Sequence, residues 1–207
     1  MSNIFGHLSP LMSAQNAKIS LKIKTILQES ITVKEKLKEK CYTDLISRIV
    51  DLAVECLKNK GKIMLCGNGG SAADAQHLAA EFVNRFKKER APLPALALTT
   101  DTSIITCIAN DYSYSEIFSK QILALGKKED ILIAISTSGN AKNVITAVNA
   151  AKKIGIKTIA LTGKDGGGLK EVADICLIVP SNDTARIQET HITVGHIICE
   201  IVEEEVV

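Results

Sequence analysis

Two loops and two helical stretches in this sequence hold residue types that could do chemistry. The run Cys66-Gly67-Asn68-Gly69-Gly70-Ser71 is rich in glycine and opens into a helical pattern. Glycines let backbone amides approach a ligand, and a helix N-terminus favours an anion. The run is neither a GxGxxG nor a P-loop pattern, because no Lys followed by Ser or Thr closes it. Taken alone, it describes a tight strand-to-helix turn equally well. A second run, Ser136-Thr137-Ser138-Gly139-Asn140, sets three hydroxyls, a glycine and an amide before another helical pattern. Capping a helix needs only one such residue. The surplus of donors suits a phosphate monoester held without a lysine. A third run, Thr162 to Gly168, reads as a flexible turn.

The helical pattern after the first loop carries Asp74, His77 and Glu81. At about 100° per residue these fall within an arc of roughly 60°. His77 and Glu81, four residues apart, can reach one metal ion or one substrate. Asp74, one turn back, could orient His77. A His/Glu pair at this spacing is by itself more often a surface contact. Its place beside the glycine-rich loop is what raises its standing. Near the C-terminus, Gln188 and His196 lie on one helical pattern, about 12 Å apart along an ideal axis. His196 sits in the apolar setting Val194-Gly195-His196-Ile197-Ile198, where a lone histidine is usually a satisfied core residue. If Gln188 and His196 serve one site, a second subunit becomes a candidate contributor.

Short apolar runs at 63–66, 95–98, 131–135, 158–161 and 175–179 alternate with helical patterns at 72–87, 113–125, 141–154 and 184–202. Continuous apolar strands alternating with helices predict an α/β fold: a doubly wound five-stranded parallel sheet flanked by helices. Ligands in such folds bind beyond the carboxyl ends of the strands, where both loops fall. Residues 14–60 contain no Gly or Pro and carry apolar residues at helical spacing, broken by the charged stretch 33–40. The expected organisation is a helical segment over 1–60, packing on the core or on a partner subunit, and a ligand-binding domain over 61–207. The first dozen residues read as a loose terminus. With 207 residues, 46% hydrophobic and 23% charged, the chain is a folded protein. Its net charge of +2 and 3% aromatic content give no electrostatic or stacking case for nucleic acid. The six cysteines are scattered without a CxxC, as expected of buried thiols in a reducing compartment. No apolar run is long enough to span a membrane, so a cytoplasmic location is expected.

Together these runs resemble the sugar isomerase (SIS) superfamily of phosphosugar-binding domains. The resemblance is carried by Gly67 to Ser71, Gln76 to Glu81, Ala109-Asn110-Asp111, Ile135 to Asn140, Leu161 to Gly167, and Arg186-Ile187-Gln188-Glu189 followed by His196. It implies an aldose–ketose isomerase that converts D-sedoheptulose 7-phosphate to D-glycero-D-manno-heptose 7-phosphate through an enediol, opening nucleotide-activated heptose synthesis. It implies one zinc ion per subunit held by His77, Glu81, Gln188 and His196, with Glu81 as base and His196 as acid. It implies substrate contacts at Asn68, Gly69, Gly70, Ser71, Glu81, Asn110, Asp111, Ser136, Thr137, Ser138 and Gln188, and a homotetramer with sites between subunits. One departure stands out: the superfamily members that this chain most resembles usually have Ser where this chain has Ala141. Two other readings remain. One is a non-enzymatic relative that associates with the replication initiator; there, the positions matching Glu81 and His196 are not Glu and His. The other is a different phosphosugar enzyme, which usually brings a longer chain or a second SIS half.

Overall fold

The computed structural model describes residues 10–206. The loose terminus expected at the start lies, through residue 9, outside the described residues. From Pro10 the chain is helical: α1 (Pro10–Lys36) and α2 (Lys40–Lys58) meet at a tight turn over 37–39. Each N–H of that turn donates to the carbonyl three residues back, within the charged stretch that marks the break in the sequence. Then follow β1 (Ile63–Gly67), α3 (Gly70–Val83), β2 (Ala95–Ala97), α4 (Thr102–Asp111), a 3-10 turn (Tyr114–Glu116), α5 (Ser119–Leu125), β3 (Ile131–Ile135), α6 (Lys142–Lys153), β4 (Lys157–Gly163), α7 (Gly167–Val172), β5 (Ile175–Val179) and α8 (Thr184–Val206).

All five strands are parallel, in the order β2-β1-β3-β4-β5. Strand alternation splits the core into two layers. Ile63, Leu65, Ile133, Ile135, Ile159 and Leu161 pack against α2, α3 and α8. Met64, Cys66, Leu132, Ala134 and Ala160 pack against α5 and α6. β1 and β3 are buried along their whole length, which is why they read as unbroken apolar runs. α2 joins the first layer through Ile46, Ile49, Val50, Ala53 and Cys56. α1 instead exposes Ile19, Leu21, Ile23, Ile26, Leu27 and Ile31.

Three elements differ from the sequence expectation. α4 was unforeseen: its Thr, Ser and Ile content is a poor helix signal, and Asp101 starts it by accepting a hydrogen bond from the Ile104 N–H. The single helix expected over 113–125 is a 3-10 turn followed by α5. α7 hides behind three glycines. All six cysteines are free. Burial pushes the thiols of Cys56, Cys66 and Cys199 up to about 12, so they stay protonated and inert, whereas Cys41 and Cys107 are exposed. Among the described residues, no helix is long and apolar enough to cross a membrane.

Candidate active site

The strand order reverses between β1 and β3, whose last residues, Gly67 and Ile135, are partners in the sheet. The two loops singled out in the sequence therefore emerge side by side at the switch point, where doubly wound folds bind ligands. Asn68 is locked there. Its amide exchanges two hydrogen bonds with the amide of Asn143 on α6, each 2.8 Å, and its Oδ1 also accepts from the Tyr114 hydroxyl at 3.1 Å. Nothing in the sequence marked Tyr114 or Asn143, since both lie outside the two loops. Asn110 and Asp111 close α4, with the Asn110 amide donating to Asp111 Oδ1.

The Ser136–Ser138 loop is braced from behind. Gly139 holds φ 68°, and a Cβ there would stand 1.9 Å from the Gly166 carbonyl oxygen. Asn140 Oδ1 accepts from the Gly168 N–H, and the Gly139 carbonyl from the Leu169 N–H. The third glycine run is thus a support for the hydroxyl loop. Ala141 occupies the N-cap of α6 and supplies no side-chain hydrogen bond.

A second cluster lies further along α3. His77 and Glu81 project from α3 toward His196 on α8. His77 Nε2 is 2.9 Å from His196 Nε2 and 3.2 Å from Glu81 Oε1, and one donor atom from each residue falls within 4.8 Å of the others. Two donors on a tetrahedral zinc, each 2.0–2.1 Å from it, would lie about 3.3 Å apart. One imidazole nitrogen facing both another imidazole nitrogen and a carboxylate oxygen is the arrangement a cation organises. The donor set is nitrogen and oxygen without thiolate, which suits zinc. His196 is therefore not the core histidine its surroundings suggest. That part belongs to His191, which is fully buried with Nε2 against the Thr162 carbonyl, and burial brings its pKa down to about 4.

Asp74 stands between the two clusters. Burial pushes its carboxyl up, and Gln188, His77 and His196 offset part of that rise. Its Oδ2 is buried without a hydrogen-bond partner, a costly state that a nearby cation relieves. Gln188 lines a pocket with Asp74, and its amide packs on the first residue of α3. A Cβ on Gly70 would come within 2.2 Å of Gln188 Nε2, so a larger residue there would push the Gln188 amide aside. The structure thus gathers His77, Glu81 and His196 at one point, and sets Gln188 beside Gly70 and Asp74.

A family profile described as SIS domain matches residues 27–163. The phosphoheptose isomerase of Clostridium acetobutylicum is 54% identical over 184 residues, covering 88% of this chain and 94% of that one. That of Helicobacter pylori strain P12 is 53% identical over 180 residues, covering 86% and 94%. The chain belongs to the SIS domain family, on its phosphoheptose isomerase branch. Among solved SIS structures, the phosphoheptose isomerase of Neisseria gonorrhoeae superposes with a TM-score of 0.84 at 45% identity, over 90% of this chain and 99% of that one. The enzyme from Francisella tularensis gives 0.85 at 42%, over 88% and 97%. The matched SIS profile stops at the end of β4, so Gln188 and His196 lie on the part of the fold that follows it.

Proposed function

We infer that the chain is an aldose–ketose isomerase that converts D-sedoheptulose 7-phosphate to D-glycero-D-manno-heptose 7-phosphate. The observation that carries this reading is the convergence of His77, Glu81 and His196 in a chain so similar to phosphoheptose isomerases. The phosphate is bound by Ser136, Thr137 and Ser138, with Asn68, Gly69, Gly70, Ser71, Asn110, Asp111 and Gln188 contacting the sugar. Glu81 takes a proton from C1, giving an enediol, and returns it at C2. His196 moves the accompanying proton between the two sugar oxygens. Oε1 of Glu81 faces His77, which leaves the second carboxylate oxygen for the proton. His77, Glu81, Gln188 and His196 would hold one zinc ion, which when bound supplies Lewis-acid stabilisation of negative charge on the sugar oxygens. Positioned acid–base groups typically contribute about 10²–10⁴-fold each.

The assembly is a cytoplasmic homotetramer with sites between subunits, and α1 supplies a contact surface of it. Two features support this. α1 presents six exposed large apolar residues. Glu81 lies eleven residues beyond Gly70 on α3, about 16 Å along the axis, a long reach for one heptose phosphate anchored at the loops of the same chain. The product serves nucleotide-activated heptose synthesis for surface glycans. Both Glu81 and His196 are present and converge, which favours an enzyme over a non-catalytic relative. Incubation with sedoheptulose 7-phosphate, with and without a chelator, tests the reading: aldose forms with zinc-supplemented protein and falls away on chelation.

A further inference from the structure

Glu203 lies on α8, two turns beyond His196, and is 1% exposed. Its carboxylate accepts four hydrogen bonds. Oε1 takes the Phe86 N–H at 2.9 Å and Arg90 Nε at 2.7 Å; Oε2 takes the Lys87 N–H at 2.8 Å and the Lys88 N–H at 2.9 Å. A carboxylate this buried is tolerated only when so satisfied. Arg90 is equally buried. Its Nη1 donates to the Phe82 carbonyl at 2.9 Å and its Nη2 to the Glu81 carbonyl at 3.0 Å. These carbonyls belong to the last turn of α3, where no intrahelical donor remains. With the Leu93 N–H, which also donates to the Phe82 carbonyl, this ion pair closes the end of α3, and it pins that end to α8.

Both ends of this pair reach the metal cluster. Arg90 holds the backbone of Glu81. Glu203 holds the N–H of Phe86, whose ring stacks on His196 with centroids 5.6 Å apart and planes 24° from parallel. We propose that Arg90 and Glu203 are positioning residues for the His77/Glu81/His196 site, fixing the spacing of α3 and α8 and with it the distances among the three ligand atoms. The inference rests on the reading of that cluster as a metal site. Two of the donors come from α3 and the third from α8, so sliding one helix against the other separates them. Neither residue touches the metal position, and nothing in their spacing in the sequence joins them.

The test compares wild type with Glu203→Gln, Arg90→Lys and Asp130→Asn. Asp130 is a control of similar burial: it is 2% exposed, accepts from the Lys62 and Lys127 N–H groups just before β3, and touches neither α3 nor α8 in its hydrogen bonds. Each metal-stripped protein is titrated with zinc against a chromophoric chelator and with cobalt(II) for its visible spectrum, with urea unfolding measured alongside. Glu203→Gln leaves two N–H donors facing an amide NH2. Arg90→Lys keeps the charge but cannot span the two carbonyls, and it carries the test should the first variant fail to fold. Both are expected to bind zinc roughly ten- to hundredfold more weakly and to alter the cobalt spectrum. Asp130→Asn should lose stability while matching wild type in both metal readouts. Unchanged affinity and spectrum in the folded variants would overturn the proposal, as would an equal loss in Asp130→Asn. His77→Ala separates the two levels: if it binds zinc as tightly as wild type, the metal-site reading itself fails.

Discussion

Ala141 begins α6 without a side-chain cap, at the start of the helix that follows the hydroxyl loop. A serine at that position would accept from a free N–H of the first turn, and a cap of this kind contributes about 0.5–2 kcal/mol. Ala141→Ser is therefore expected to raise the urea midpoint; if the phosphate docks at this helix start, it also lowers KM with kcat similar. Ser138→Ala works in the other direction. Removing a hydroxyl donor to a phosphate is worth roughly 1.5–3 kcal/mol, so KM should rise about tenfold or more in steady-state kinetics. An unchanged KM would move the phosphate to the Asn68–Ser71 loop. Residues of this kind were legible because their types are unusual: three hydroxyls in a row, or a His/Glu pair at one-turn spacing. Tyr114, Asn143 and Phe86 were not. Their roles come from contacts across 46, 75 and 110 residues of chain, with Asn68, Asn68 and His196 respectively.

At the scale of elements, the strands were readable because burial on both faces writes them as continuous apolar runs. α4 and α7 were not, because a side-chain cap and a tertiary brace hold segments whose own helix preference is poor. The α3–α8 pair offers a pH test. Burial alone would raise the Glu203 carboxyl, but the N–H groups of Phe86, Lys87 and Lys88 and the Arg90 guanidinium outweigh it and bring the pKa down to about 2. A carboxyl lowered on folding stabilises the protein fully above its ordinary value of 4.5, and that contribution is lost as pH falls toward 2. Glu203→Gln should thus destabilise most at neutral pH, and the gap in urea midpoint from wild type should narrow below about pH 5. A gap of constant size from pH 7 to pH 3 would contradict the assignment.

For the whole molecule, one chain provides a phosphate-type loop at the sheet's switch point and a His/Glu/His cluster further along α3, while α1 leaves an apolar face uncovered. Ile23→Glu combined with Leu27→Glu places two charges on neighbouring turns of that face. If the proposed tetramer uses this face, light scattering should then report a species smaller than wild type, with turnover reduced and helicity by circular dichroism kept; an unchanged mass would place the contact elsewhere. The helical period of α1 was visible in the sequence, but which side packs on the chain's own core was not, because apolar residues occur around much of its circumference. The central claim is that this fold isomerises a heptose phosphate with Glu81 as the base. It is tested most directly by following sedoheptulose 7-phosphate with zinc-supplemented wild type and with Glu81→Gln by proton NMR. The account predicts the aldose 7-phosphate signal with wild type and a rate at least about 10²-fold lower with a folded Glu81→Gln. No aldose from folded, zinc-loaded wild type, or undiminished turnover in Glu81→Gln, would contradict it.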